Sequence, residues 1–175
     1  SFQEWGIDCV KKFDGMFAFG IWDKSRETFF LARDRLGIKP LVYYLDEDTF
    51  IFASEIKAIL AHPGIDKTRD DTAIYDYLTY GYIPSPKTPY KKIRKLEAAH
   101  TFTFRRDLSH YSKYWDIDFQ SVSELMDIEQ ATELVSEQLS QAVKAHLVSD
   151  VPIGAFLSGG VDSGTVVARA SSQYG

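Results

Sequence analysis

The run Val151-Pro152-Ile153-Gly154-Ala155-Phe156-Leu157-Ser158-Gly159-Gly160-Val161-Asp162-Ser163 constrains the fold more than any other stretch of this chain. It reads as a five-residue buried strand over 153–157, a glycine turn over 158–161 and a helix from Asp162 onward. A strand of that kind wants parallel neighbours. Two adjacent glycines let the backbone take positive φ and approach a ligand with no Cβ in the way. The helix that follows offers unpaired N–H groups and the positive end of its dipole. Ser158 and Ser163 add hydroxyls, and together these groups make an anion site. Asp162 would repel bare phosphate. Its carboxylate makes sense if a divalent cation lies between, since Mg²⁺ is commonly held by one or two carboxylates plus phosphate oxygens. The lysine that precedes the Ser/Thr of a P-loop is missing, which disfavours γ-phosphate transfer of that type. A short cradle for the pyrophosphate of ATP, with cleavage between the α and β phosphates, is the expectation. The plainer alternative is a strand–turn–helix junction in which Asp162 or Ser163 merely caps the helix.

Upstream of this run the periodicity is helical over 128–148, with Ile128, Ala131, Val135, Leu139, Ala142 and Val143 on one stripe, and Asp150 and Pro152 as stops. The second half is therefore expected to be α/β. Residues 116–127 are polar and unpatterned, and the predicted organisation is one domain over 1–115, a linker over 116–127 and a second domain over 128–175.

The first half is strand-rich. Residues 15–23 are nearly continuous in apolar side chains, as in a strand buried on both faces. Residues 28–32, 40–45 and 49–53 are further short strands, separated by turn signals at 23–25, 34–37 and 46–48. This spacing predicts an antiparallel meander. Residues 54–60 read as a helix capped by Ser54, with Ile56, Ile59 and Leu60 on one face. Residues 71–80 read as a second helix with Ile74, Tyr77 and Leu78 inward. Pro84, Pro86 and Pro89 make 82–90 an extended connector. Residues 98–104 read as a strand, and 111–115 as its partner.

Composition narrows the classes. Of 175 residues, 45% are hydrophobic and 14% aromatic, enough for a real core. The net charge of −5 argues against nucleic acid or an anionic membrane as a partner. The single Cys9 excludes an internal disulfide framework and fits a reducing compartment. No signal-peptide pattern or long apolar run is present, and a cytoplasmic location is expected. The chain starts at Ser1 and stops at Gly175, and both ends are expected to cut through larger domains.

Ser158-Gly159-Gly160-Val161-Asp162-Ser163 resembles the pyrophosphate loop of the ATP-pyrophosphatase superfamily. Residues 13–19 (Phe-Asp-Gly-Met-Phe-Ala-Phe), 32–41 (Ala-Arg-Asp-Arg-Leu-Gly-Ile-Lys-Pro-Leu) and 52–58 (Phe-Ala-Ser-Glu-Ile-Lys-Ala) resemble the later part of a class II glutamine amidotransferase domain. Residues 77–84 and 114–116 resemble the stretch that leads into the synthetase domain of glutamine-hydrolysing asparagine synthetases. The resemblance covers nearly the whole chain. It implies an α+β part followed by an α/β part. The first would be the later portion of an αββα N-terminal-nucleophile (glutaminase) sandwich. The second would be the first helix–strand–loop–helix of an adenine-nucleotide α-hydrolase-like parallel-sheet domain. It implies glutamine hydrolysis in one domain and, in the other, aspartate activation by Mg-ATP to an aspartyl-adenylate with loss of pyrophosphate, AMP leaving once ammonia attacks.

Residue by residue, the resemblance implies ATP and pyrophosphate binding by the Leu157 backbone and by Ser158, Gly159, Gly160, Asp162 and Ser163, with Asp162 on Mg²⁺ through the pyrophosphate. No catalytic residue of the glutaminase is carried over, since the family's N-terminal Cys lies upstream of residue 1. The chain by itself is therefore expected to be inactive. The implied cofactors are ATP and Mg²⁺. The implied partners are small molecules (glutamine, aspartate and ATP), with no nucleic acid and no membrane, and a homodimer of the full-length protein stays open. Two other readings stand beside this one: a related amidotransferase-coupled ligase acting on another carboxylate, as in enzymes resembling β-lactam synthetases, and a non-catalytic interaction module.

Other residues invite functional readings. Ser1 would be a cut site rather than a nucleophile. Cys9 has no His or Asp arrangement beside it and is expected to be buried and structural. His62, His100, His110 and His146 lack metal-ligand spacing. Arg33-Asp34-Arg35 with Gly37 is expected to be a turn held by local charge pairs rather than an anion site. Lys87, Lys91, Lys92, Arg94 and Lys95 are expected to be a solvated connector rather than a nucleic-acid surface.

Overall fold

The computed structural model describes residues 1–106, 108–119 and 126–174. Residues 120–125 of the stretch predicted as a linker therefore lie outside the described residues. The chain divides into two compact units, Ser1–Ile117 and Asp118–Gly175.

The first unit is built on two antiparallel sheets. One has the order β1 (Ala18–Asp23), β2 (Thr28–Arg33), β6 (His100–Arg105), β7 (Leu108–Lys113). The other has the order β4 (Phe50–Ala53), β3 (Val42–Leu45), β5 (Ile93–Lys95). The predicted strands are therefore antiparallel, but they form two sheets rather than one meander. Period-two alternation explains the packing. Leu31 of β2 and Phe102 and Phe104 of β6 meet Tyr43 and Leu45 of β3 and Phe50 and Phe52 of β4 between the sheets. Phe30 and Ala32 point the other way, into a cluster with Phe2, Cys9 and Val10. Those three come from helix α1 (Phe2–Trp5) and the 3-10 helix that follows it (Gly6–Lys12). Val42 and Tyr44 of β3 likewise turn outward onto Ile59 of helix α2 (Ile56–Leu60). Both faces of β2 and β3 are thus covered, which is why their sequences read as continuous apolar runs.

β1 is different. It is the edge of its sheet, and Gly20 and Trp22 are exposed, so the expectation of burial on both faces fails there. Gly20 still matters to the core. A Cβ at this position would stand 2.5 Å from Phe52 Cζ and 2.8 Å from Leu31 Cδ2, so the missing side chain lets the two sheets close. Gly20→Val should destabilise the unit by about 1–3 kcal/mol through overpacking. Urea denaturation of the variant beside wild type reads this as a lowered midpoint at unchanged slope.

Two helices depart from expectation. The cap position of α2 is Glu55, not Ser54, and the Glu55 side chain pairs with Lys57 at 2.7 Å instead of capping. Helix α3 (Asp71–Tyr80) is capped by Asp70, whose carboxylate accepts from Thr72 N and Ala73 N, and it ends at Gly81 with φ +76°. Its inward residues are Ala73, half-buried Ile74 and Asp76, which pairs with Lys87 at 2.6 Å. Tyr77 and Leu78, expected inward, are exposed. The cap and the Asp76–Lys87 pair turn the small Ala73 face down and the Tyr77 face out. β5 lies within the stretch read as a solvated connector. It pairs with β3, while Lys92 pairs with Asp66 and Lys95 Nζ donates to Ile83 O.

The second unit contains α4 (Ile128–His146) and α5 (Val161–Tyr174). α4 opens with a reciprocal cap: Asp127 Oδ1 accepts from Gln130 N at 2.8 Å, and Gln130 Oε1 accepts from Asp127 N. Of the predicted stripe, Val143 is buried and Ala131 and Leu139 half-buried, but Ile128, Val135 and Ala142 are exposed. Ser136 and Ser140 share the half-buried face of α4 with Leu139 and Val143 and meet α5 there, Arg169 Nη2 donating to Ser136 Oγ and Gln173 Nε2 to Ser140 O.

Residues 153–157 are not a strand. They have no ladder partner among the described residues, and Phe156 is 101% exposed. Strand geometry needs a neighbour to take its N–H and C=O groups, and apolar side chains by themselves do not supply one.

Candidate functional site

Residues 158–163 form a tight turn entering α5. Gly159 sits at φ +82°, in the left-handed region that a side chain strains, and a Cβ built there meets nothing within 4 Å. A Cβ on Gly160 would face the hydroxyls of Ser158, at 3.6 Å, and Ser163, at 4.0 Å. Those hydroxyls lie 2.9 Å apart, and Ser163 Oγ also donates to Gly160 O at 3.2 Å. Gly164 N returns to Gly160 O at 3.0 Å and closes the first helical turn. The N–H groups before Gly164 have no intrahelical acceptor. Asp162 is exposed in that same turn. Ser158, Gly159, Gly160, Asp162 and Ser163 are therefore neighbours on one exposed helix entry, with the Leu157 backbone leading in.

These groups suit a phosphate: open space over a glycine, two adjacent hydroxyls, helix-entry amides and one carboxylate for a hard cation. Among the described residues no group of three or more His, Cys, Asp or Glu side chains is placed to hold a metal ion without a further ligand. A hard cation at Asp162 would draw its other ligands from outside that set, such as water or phosphate oxygens.

The Arg33–Gly37 turn proves to be a junction of the first unit. Asp34 is 2% exposed. Its carboxylate accepts from the backbone N–H of Ile38 and Lys39 at 2.9 Å, Leu36 at 3.2 Å and Phe17 at 3.3 Å. Burial by itself would raise its pKa, but the four amides outweigh burial and hold it below the usual carboxylate value. Arg33 donates to three carbonyls, those of Lys39, Leu96 and Gly37. The partners are backbone groups, which corrects the expectation of local charge pairs. The sequence marks this turn but not its partners Phe17 and Leu96, which are distant along the chain.

Cys9 is buried, and burial pushes its thiol pKa up, as suits a structural residue. His62 Nδ1 accepts from Gly64 N, while His100 and His146 contact the carbonyls of Ala98 and Ala142.

Residues 1–115, nearly the whole first unit, match the model of the family described as glutamine amidotransferase domain. The chain belongs to that family. Residues 134–175 match a second model, described as asparagine synthase. Among curated relatives, the chain is 44% identical over 168 residues to a putative asparagine synthetase [glutamine-hydrolyzing] 2 of Methanocaldococcus jannaschii, covering 95% of this chain and 33% of that protein. It is 40% identical over 175 residues to asparagine synthetase [glutamine-hydrolyzing] 3 of Bacillus subtilis, covering 99% of this chain and 28% of that one. It is also 30% identical over 179 residues to amidase chry2 of Gibberella zeae, covering 97% and 25%. The chain thus spans a third or less of the length of these relatives. No described helix is long and apolar enough to cross a membrane.

Proposed function

We propose that this chain serves in a glutamine-dependent asparagine synthetase, with the first unit part of an αββα glutaminase sandwich and the second the start of an ATP-using ligase domain. One observation carries the reading. A match to a glutamine amidotransferase domain and a match to asparagine synthase occur in one chain, in that order, and the second contains the 158–163 turn.

In this reading Ser158, Ser163, the Leu157 backbone and the glycine-turn amides hold the pyrophosphate end of ATP. Asp162 holds Mg²⁺, which when bound neutralises phosphate charge and eases departure of pyrophosphate. The turn orients the α phosphorus toward the aspartate carboxylate. A carboxylate oxygen bonds to that phosphorus as the bond to pyrophosphate breaks. Ammonia from glutamine then attacks the acyl carbon, AMP leaves, and the nitrogen gives up its extra proton.

The test uses the full-length protein with amide-¹⁵N glutamine, aspartate and Mg-ATP. Pyrophosphate release that depends on aspartate, with ¹⁵N in the asparagine side chain, is the expected result. Release that ignores aspartate but responds to another carboxylate would favour a related ligase. Absence of any Mg-ATP affinity would favour a non-catalytic module.

A further inference from the structure

The outer face of the four-stranded sheet changes character part-way across. Beneath the 3-10 helix it is apolar, with Phe30 and Ala32 of β2 packed on Cys9 and Val10. Beyond β2 the same face turns polar. The register sets Thr103 and Thr101 of β6 beside Phe30 and Ala32, and His110 and Ser112 of β7 beside those threonines. An apolar cover over these groups would strip their hydroxyls and imidazole of partners. Thr101, Ser112 and His110 instead line a groove of about 210 Å³. Ile7, Asp8 and Lys11 line it from the 3-10 helix, and Lys113 and Tyr114 from the end of β7.

The groove is held in place and its polar capacity is only partly used. Tyr114 N donates to Ala99 O and the Tyr114 hydroxyl to Arg33 O, both at 2.8 Å, so the end of the groove is fixed to the sheet. Thr101 is 7% exposed, and its Oγ1 makes one long contact, 3.4 Å to Ser112 O. Its acceptor lone pairs are unused among the described residues. Lys11 pairs with Asp8 at 2.7 Å, and Lys113 pairs with Asp116. Exposed pairs of this kind hold weakly, and each leaves two N–H donors on its ammonium.

The charges select the ligand. A bare anion in the groove gains Lys11 and Lys113 but meets the carboxylate of Asp8, and a bare cation meets the reverse. A small molecule that carries both charges matches both. The volume agrees, since it lies below the roughly 300–1,000 Å³ of pockets for drug-sized ligands. We propose that this groove binds a small α-amino acid as its zwitterion. Lys113 and Lys11 take the carboxylate, Asp8 takes the ammonium, Thr101 and Ser112 add hydroxyl contacts, and Ile7 and the Tyr114 ring border the side chain. All of these residues belong to the first unit, so the site does not depend on the ligase reading above.

The experiment titrates the full-length protein with glycine and L-serine as zwitterions, acetate and inorganic phosphate as anions, and ethylamine as a cation. Saturation-transfer NMR reads binding, and backbone hydrogen exchange reads its place. L-serine should slow exchange over 7–11 and 110–114. Lys113→Ala and Asp8→Asn should each weaken that effect at least tenfold, and Asp8→Asn should bind acetate at least as well as wild type does. Both side chains are largely exposed, so the variants should keep the wild-type melting temperature. Acetate or phosphate held as tightly as L-serine, with no loss in Asp8→Asn, makes the groove a plain anion site and overturns the proposal. So does L-serine binding that neither variant weakens, or no protection of these two segments by either amino acid.

Discussion

Asp34→Ala should destabilise the first unit by about 3–5 kcal/mol, because it strips the acceptor from four backbone amides at once. The site is 2% exposed, so water does not readily replace the carboxylate. Asp34→Asn separates the parts of the effect. Oδ1 serves Leu36 and Ile38, while Oδ2 serves Phe17 and Lys39. An amide side chain keeps one oxygen and sets N–H groups against N–H groups at the other, so the loss should be about half that of alanine. Urea unfolding measures both variants, and an alanine variant within 1 kcal/mol of wild type would contradict the account. The pH dependence has a definite sign. The folded pKa of Asp34 lies below the unfolded carboxylate value of about 3.9. Its stabilisation is fully present above that value and is lost as pH falls through the folded pKa. Other aspartates with lowered values act in the same window. The difference in unfolding free energy between wild type and Asp34→Asn isolates the contribution of Asp34, and it should shrink below pH 4.

Asp162→Ala in the full-length protein should lower aspartate-dependent pyrophosphate release at least about a hundredfold, the equivalent of about 3 kcal/mol. Stability should change little. The side chain is exposed in the first turn of α5, where its favourable interaction with the helix dipole is worth about 0.3–1 kcal/mol. That combination separates a ligand role from a capping role. A variant with wild-type turnover would remove the phosphate-cradle reading of the turn, and a variant that fails by unfolding would make Asp162 a structural cap. Glutamine hydrolysis should persist in Asp162→Ala, since the carboxylate belongs to the second unit.

The strands of the first unit could be read locally because both faces of β2 and β3 are covered, which leaves uninterrupted apolar runs at 28–32 and 40–45. β5 could not, since three residues carrying Arg94 and Lys95 show no periodicity and are recruited by β3. The apolar run 153–157 misled for the converse reason. Its composition suits a strand, but pairing is non-local, and no described strand lies beside it. Tyr77 and Leu78 likewise follow the helical period while the cap and the Lys87 pair decide which face turns inward.

For the turn at 158–163, sequence alone determined which groups lie together. Glycine freedom, the two hydroxyls, the carboxylate and the helix entry are local properties of six consecutive residues, and they lie together whatever surrounds them. The two-part order of the chain was equally legible, since it rests on motif order along one polypeptide. Only the tertiary structure decided what Arg33, Asp34 and Arg35 do. Their partners are Phe17, Leu96, Ala99, Tyr114 and Trp115, and a carboxylate or guanidinium takes its role from whichever backbone groups the folded sheets bring to it.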